Sequence, residues 1–144
     1  MILDYGNHKP FRKVKVIQVD LVGDCDVRIG YSLPFKDETF DIVISNQVME
    51  HNFHIESYYR EAARVLKPFG YLFLHFPHRW QPNPGHYMPW FSHWFRKTDG
   101  YVWKSKRYHK KVARPYFPVW IDLAPPWRQV KAILSKTDLF NLLR

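Results

Sequence analysis

One short segment limits the fold of this chain more than any other. Residues 40–45, FDIVIS, form a nearly continuous β-branched apolar run that is typical of a strand covered on both faces of a parallel sheet. A charged, turn-like stretch at residues 36–39 precedes the run, and polar Asn46 and Gln47 follow it. Open α/β sheets bind their ligands at the carboxyl ends of the strands. We therefore expect the polar end of this run to form a crevice floor, and the charged turn to be a surface loop.

The residues after this run predict a helix and a further strand. Apolar side chains recur at three- and four-residue spacing across residues 55–66, which indicates an amphipathic helix that ends at Lys67-Pro68. Residues 70–76 then form an apolar run. Strand, helix and strand in this order imply parallel pairing with a right-handed crossover. With three earlier strands predicted at residues 1–6, 14–20 and 26–30, the first half is predicted to be an α/β sheet.

The second half of the chain has a different composition. Residues 1–76 carry 9 Lys and Arg against 10 Asp and Glu, whereas residues 77–144 carry 13 against 3 and hold all six tryptophans. A hydrophobic content of 46% argues against wholesale disorder. No apolar run approaches the ~20 residues needed to cross a bilayer, and the first residues do not resemble a signal peptide. A single cysteine, Cys25, excludes an internal disulfide, so we expect a cytoplasmic location.

Six short motifs occur in a characteristic order. They are ILDYG at residues 2–6, VD at 19–20, LPF at 33–35, FDIVISN at 40–46, VMEH at 48–51 and RVLKPFG at 64–70. In this order and spacing they resemble the class I S-adenosylmethionine-dependent methyltransferases, most closely the small-molecule branch called type 11. The resemblance covers residues 2 to about 78 and implies a Rossmann-like parallel sheet containing strands 1 to 5 of the methyltransferase fold.

The resemblance also implies an S-adenosylmethionine site. Asp20 would bind the ribose hydroxyls, because a carboxylate can accept both hydroxyl protons. The glycine turn after the first strand would let the backbone approach the cofactor. The residues implied in cofactor binding are Asp4, Gly6, Asn7, His8, Asp20, Leu33, Pro34, Asn46 and Gln47.

Three motifs depart from the family pattern. His8 stands where the family has a second glycine, and a side chain there disfavours positive φ by about 1–2 kcal/mol. Gly30-Tyr31-Ser32 replaces an acid that meets adenine, and Pro68-Phe69-Gly70 replaces Pro-Gly-Gly. The changes at His8 and Gly30, together with terminal strands that are expected to be absent, support an alternative in which the fold is degenerate, binds no cofactor and serves as an interaction module.

The end of the chain is expected to be incomplete relative to the family. Residues 135–144 resemble the helix that follows the fifth strand, with Ser135 or Thr137 as its cap. The two strands that would follow are expected to be absent, which would leave an exposed sheet edge. The predicted division is a cofactor-binding core at residues 1–78, an aromatic and basic insertion at 79–134, and a helix of the same domain at 135–144.

The aromatic and basic segment allows several interpretations. It shows no sustained periodicity, so it is predicted to be irregular, and its aromatics could pack against the sheet or form a substrate lid. In the lid interpretation Trp90, Trp94 and Arg96-Lys97 line the crevice, and the basic run at 104–111 lies on the outer surface. Such a run is either a solvated face or a site for anions. A peripheral membrane contact and the oligomeric state stay open, and nucleic acid is not favoured because no known binding module is present.

The predicted activity is transfer of the cofactor's methyl group to a small molecule, which could be anionic or lipid-linked. When the acceptor is protonated, the reaction needs a general base. The candidates are His51, His78 and His86. No metal site is expected, because no Asp or Cys cluster completes a ligand set around the histidines.

Overall fold

The fold is built on one sheet of seven strands. The computed structural model describes residues 1–5, 16–20, 27–28, 32–80, 102, 104–125 and 128–137. Its strands are β1 (Ile2–Tyr5), β2 (Val16–Asp20), β3 (Val27–Arg28), β4 (Phe40–Asn46), β5 (Leu66–Phe76), β6 (Val119–Asp122) and β7 (Val130–Ser135). They lie in the order β3-β2-β1-β4-β5-β7-β6. The first five pair in parallel, and β7 runs antiparallel to β5 and β6.

Two helices and a short turn connect the strands described here. A 3-10 turn, Met49–His51, follows β4, and helix α1, Ile55–Val65, leads into β5. Helix α2, Lys106–Ala113, precedes β6. The α/β class, the five parallel strands and the first helix are therefore confirmed. The strand bounds differ mainly at β5, which begins at Leu66, four residues earlier than predicted, so that Pro68 lies within it.

The expectation that the sheet ends after five strands is wrong. The first of the strands expected to be absent, β6, lies inside the segment at 79–134 that is predicted to be irregular. The second, β7, begins inside this segment, ends at Ser135 and covers the edge of β5. The sequence gives little sign of them because β6 has only four residues, directly after a proline, and because Pro125-Pro126-Trp127 stands just before β7. Ser135, proposed as a helix cap, instead ends β7, and its Oγ bonds the backbone of Thr137. Residues 138–144 lie outside the described residues.

The core centres on a row of side chains that crosses the sheet. Leu3, Val43, Leu72 and Leu134 are partners on four adjacent strands, and all four are fully buried. Fully burying one such side chain contributes roughly 1.5–3 kcal/mol. Helix α1 buries the stripe that includes Tyr59 and Ala62 in this core, and α2 buries His109 and Ala113.

Close packing explains the glycine at the start of β5. A Cβ at Gly70 would lie 2.7 Å from Leu66 Cδ2 and 3.0 Å from the carbonyl oxygen of Asp41. Only glycine fits there without movement of a neighbour. The preceding residue, Phe69, is 59% exposed. The Pro-Phe-Gly turn therefore keeps the glycine that packing requires and changes a position that tolerates a side chain.

Helix α1 holds the loop before β4 through two side chains. Glu61 Oε2 accepts hydrogen bonds from the Leu33 amide at 3.0 Å and from Arg64 Nη2 at 2.8 Å. The Arg64 guanidinium also donates to the carbonyls of Leu33 and Phe35, at 2.9 and 2.7 Å, and to Asp37 Oδ1 at 2.7 Å. The hydrogen bonds from Arg64 are the main reason that the pKa of Glu61 is lowered. The pair therefore fixes this loop to the helix.

Glu50, in the 3-10 turn, is a buried acid. Glu50 is 1% exposed, and its backbone carbonyl oxygen accepts a hydrogen bond from the Val102 amide at 2.5 Å. Burial raises the pKa of Glu50 from 4.5 to about 7. The folded state therefore binds this proton more tightly than the unfolded chain does.

We expect Arg64→Ala to lower the free energy of unfolding by about 3 kcal/mol, because it removes charge-assisted hydrogen bonds and leaves Glu61 with one partner fewer. Urea denaturation measures this change. The matched control is Arg60→Ala in the same helix, where the arginine is exposed and bonds Ser57 at 3.4 Å. The control should change stability by less than about 0.5 kcal/mol. Equal effects of the two variants would contradict the role given to Arg64.

We expect the contribution of Glu50 to stability to fall as the pH rises. It is fully present below about pH 4.5, where the acid is protonated in both states, and is lost as the pH approaches 7. The loss amounts to at most about 3 kcal/mol. The measurement compares urea denaturation of the wild type and Glu50→Gln across this range. The variant should gain stability relative to the wild type with rising pH, and a constant difference would contradict the prediction.

Candidate functional site

The carboxyl ends of β1, β2 and β4 meet at one edge of the sheet. Tyr5, the last residue of β1, pairs with Val19 on one side and Ser45 on the other. Asp20 directly follows Val19 in β2, and Asn46 directly follows Ser45 in β4. The register therefore brings these two predicted cofactor residues to the same edge, separated by β1. We call this edge the rim.

The other predicted cofactor residues have different settings. Asp4 lies within β1, where it pairs with Gln18 and Ile44. Leu33 is buried and Pro34 is exposed, in the loop that α1 holds. Gly6, Asn7 and His8 lie outside the described residues, so their placement stays a prediction.

Gln47 turns the chain sharply where β4 ends. Its φ is +56°, a left-handed conformation that costs a non-glycine residue about 1 kcal/mol or more. The turn is held by its amide, which donates to the His75 carbonyl at 2.7 Å, and its Nε2 lies 3.4 Å from Gln129 Oε1. Strained backbone of this kind clusters at functional sites. The end of β4 therefore shows a feature expected of a binding rim.

Next to this turn, the ends of β4, β5 and β7 form a polar cluster. His75 pairs with Asn46 on one side and Lys131 on the other. Its Nδ1 lies 2.7 Å from Asn46 Oδ1. An amide oxygen only accepts, so Nδ1 carries the proton and the lone pair of the neutral ring is on Nε2. His75 is not among the bases predicted from the sequence, because its place beside Asn46 follows from pairing across strands.

His78 is held by the backbone on both ring nitrogens. It is 3% exposed, its Nε2 lies 3.0 Å from the Arg128 carbonyl, and its Nδ1 lies 3.3 Å from the Trp80 amide. A carbonyl only accepts and an amide only donates, so the ring is neutral with its proton on Nε2. His78 therefore ties the turn after β5 to the segment before β7.

The structure describes two of the three proposed bases, and these two have different settings. His51 ends the 3-10 turn and is exposed, whereas His78 is buried. His86 lies outside the described residues. Among those residues, no group of three or more His, Cys, Asp or Glu is placed to hold a metal ion. No helix among the residues that the structure describes is long and apolar enough to cross a membrane.

An open depression occurs at the opposite edge of the sheet. It is lined by Glu38, Asp41, Lys67, Pro68, Phe69 and Gly70, around the amino ends of β4 and β5. Lys67 bonds Asp41 at 2.7 Å and, together with the amino terminus, lowers the pKa of Asp41 to about 2. Parallel α/β sheets bind ligands at the other edge. We therefore place the candidate site at the rim.

Comparison with known sequences matches part of the chain to methyltransferases. Residues 9–74 match the family model described as a methyltransferase domain. An uncharacterized methyltransferase of Schizosaccharomyces pombe is 40% identical over 63 residues, which are 42% of this chain and 23% of the relative. A probable S-adenosylmethionine-dependent methyltransferase of Mycobacterium tuberculosis is 33% identical over 79 residues, 55% of this chain and 26% of the relative. The matches thus cover about a quarter of these relatives.

Solved structures share the fold over nearly the whole chain. The CurJ carbon methyltransferase aligns with a TM-score of 0.67 at 13% identity, over 95% of this chain and 48% of that one. A Burkholderia thailandensis 1,6-didemethyltoxoflavin-N1-methyltransferase, solved with bound S-adenosylhomocysteine, aligns with a TM-score of 0.64 at 15% identity, over 95% and 71%. At such identities the likeness concerns the fold, including the last two strands. Over residues 9–74 the chain is thus similar to the methyltransferase domain, and its fold is the one seen in solved methyltransferases.

Proposed function

We propose that this chain transfers the methyl group of S-adenosylmethionine to a small molecule. The observation that carries the proposal is the rim, where the register aligns Asp20 and Asn46 on either side of the end of β1. A carboxylate suits the ribose hydroxyls, and an amide can donate and accept. This donor set fits the cofactor, which when bound supplies a methyl group activated on sulfur.

The chain's own residues have separate roles in this proposal. Asp20 holds the ribose, with Asp4, Gly6, Asn7 and His8 around the first turn, and Leu33 and Pro34 lie beside the adenine. Asn46 and Gln47 face the reacting group. Glu61 accepts a hydrogen bond from the Leu33 amide and Arg64 donates one to the Leu33 carbonyl, which keeps this loop in place and spares the cofactor the entropic cost of ordering it.

We propose His75 as a general base, ahead of His51, His78 and His86. Asn46 keeps the proton of His75 on Nδ1 and leaves the lone pair on Nε2. This atom is buried, so the proposal requires that a movement of the rim let the acceptor reach it. His78 would first have to give up its contacts with backbone groups on both nitrogens. His51 and His86 stay candidates from the motif pattern alone.

The acceptor is proposed to be anionic, and a lipid-linked molecule fits this chemistry. Basic side chains surround the part of the rim formed by β5 and β7. Lys131 pairs with His75, and exposed Arg79 follows the end of β5, where its amide donates to the Lys104 carbonyl. A surface with this excess of positive charge concentrates anions and speeds their encounter.

The alternative, a degenerate fold without cofactor, has lost one of its three supports, and the changes at His8 and Gly30 remain. It rested partly on strands expected to be absent, and β6 and β7 are present. The altered glycine loop still motivates it. The variant His8→Gly distinguishes the two functions. If the wild type binds no cofactor and the variant does, the result favours the degenerate fold.

Asp20→Ala should weaken binding of S-adenosylhomocysteine by roughly 1–3 kcal/mol, because charged hydrogen bonds to the ribose are lost. Isothermal titration calorimetry measures the affinity. The matched control is Asp41→Ala, which removes a strand carboxylate at the opposite edge of the same sheet and should leave the affinity unchanged. No binding by the wild type would refute the cofactor assignment, and unchanged affinity of the Asp20 variant would remove that residue from the site.

For His75 we expect the neutral ring to carry its proton on Nδ1. Nitrogen-15 chemical shifts of the imidazole report the tautomer directly. Asn46→Leu removes the acceptor and should shift the population toward the Nε2-protonated form. A wild-type ring with its proton on Nε2 would rule out the proposed base.

A further inference from the structure

The outer face of helix α2 carries a stripe of positive charge. Arg107, Lys111 and Arg114 are exposed and follow one another at four and three residues. With 3.6 residues per turn, they fall within about 60° of one another and span about 10 Å. His109, which is 1% exposed, points the opposite way into the core. Its Nδ1 lies 3.1 Å from the Tyr59 hydroxyl, and this contact fixes which face of α2 is outward.

The chain does little to neutralise this stripe. Asp122 is the one acidic residue between positions 104 and 125, and it pairs with Lys106 at 3.1 Å and Lys110 at 2.8 Å on the flank of the helix. In the part of the chain that the structure describes, no acid contacts the three stripe residues. Arg107 and Lys111 are four residues apart, so their like charges repel along the helix. An anionic partner would relieve this repulsion.

Exposed aromatic side chains continue the stripe toward the rim. Tyr108 is 40% exposed, and the Lys104 ammonium lies 5.2 Å from its ring centre. Trp80 is 56% exposed, and the Arg79 guanidinium lies 5.7 Å from its ring centre. Arg79 and Lys104 are joined by a backbone hydrogen bond of 3.2 Å. This bond joins the end of β5, which carries Trp80, to the start of α2, and we treat the stripe and the two rings at this junction as one surface.

We propose that this surface docks on an anionic membrane. Cations on the convex outside of a helix can all reach a plane, and each Lys or Arg near an anionic bilayer strengthens binding. Tryptophan and tyrosine rings suit the headgroup level, where one end is apolar and the other wet. The docked protein would hold its rim close to the bilayer, within reach of an acceptor carried by a lipid.

A membrane fits these observations better than a nucleic acid does. Proteins that bind single strands use a basic groove with aromatic faces open for stacking on bases. Here the cations lie on a convex face, and both exposed rings already have a cation of this chain over one face. Binding to the membrane needs no cofactor, so it can be tested whether or not methyl transfer is confirmed.

The test is co-sedimentation with vesicles. One set contains phosphatidylcholine alone, and in the other phosphatidylglycerol replaces a quarter of it. We expect binding to the anionic vesicles only, weakening as salt rises. Arg107→Gln with Lys111→Gln should lower partitioning about 25-fold, since each charge contributes about fivefold. The variant should fold, because it removes a repulsive pair, and circular dichroism checks this.

Two controls separate position from total charge. Lys36→Gln with Lys67→Gln removes the same charge near the opposite edge of the sheet and should leave vesicle binding within about twofold of the wild type. Exchanging the stripe residues, Arg107→Lys with Lys111→Arg, keeps the charge and should keep the binding. Equal binding to both vesicle types, or equal losses in the two double glutamine variants, would overturn the proposal. Binding to polyuridylate RNA without vesicle binding would also overturn it.

Discussion

The pairing of β4 with both of its neighbours is the constraint on which the rest of the structure depends. Parallel strands need long crossovers, and a strand hydrogen-bonded on both edges must also be covered on its faces. Val43 is fully buried between Leu3 and Leu72. A shift of one residue would move Val43 to the other face of the sheet and separate it from Leu3 and Leu72. The register is therefore fixed, and with it the level at which Asn46 leaves the sheet.

The fixed register brings separate motifs of the sequence together at the rim, which is the candidate site. Asp20, Asn46 and His75 are far apart in sequence, yet each stands at or near the carboxyl end of a parallel strand. Their approach needs no long-range search by flexible loops, because the strands deliver them to one edge. Helix α1 holds the loop that carries Leu33, because Glu61 accepts a hydrogen bond from the Leu33 amide and Arg64 donates one to the Leu33 carbonyl. The geometry of the rim thus depends on the packing of helix α1 against the sheet.

Helices α1 and α2 direct their polar side chains to different places. Helix α1 directs polar side chains toward the loop before β4, whereas α2 directs them outward as a basic stripe. The helices touch through Tyr59 and His109, and burial lowers the pKa of His109 to about 3, so that contact stays neutral. A buried neutral contact of this kind leaves the outer face of α2 free to carry charge.

The sequence by itself determined the α/β class, the parallel order of the first strands and the first helix. Those features follow from local periodicity and from the limited ways in which strand, helix and strand can connect. The same patterns located Asp20 and Asn46 at strand ends, but they did not reveal β6 or β7. A strand of four residues between prolines, such as Val119–Asp122, has too little periodicity to stand out.

Only the tertiary structure decided which polar groups meet. His75 bonds Asn46, and Arg64 bonds two carbonyls of the loop before β4. These partners are far apart in sequence, so no local pattern predicts their contact. The outward face of α2 likewise follows only from which of its side chains are buried. Each depends on register and on which side of a helix is buried, and both are set by packing of the whole domain.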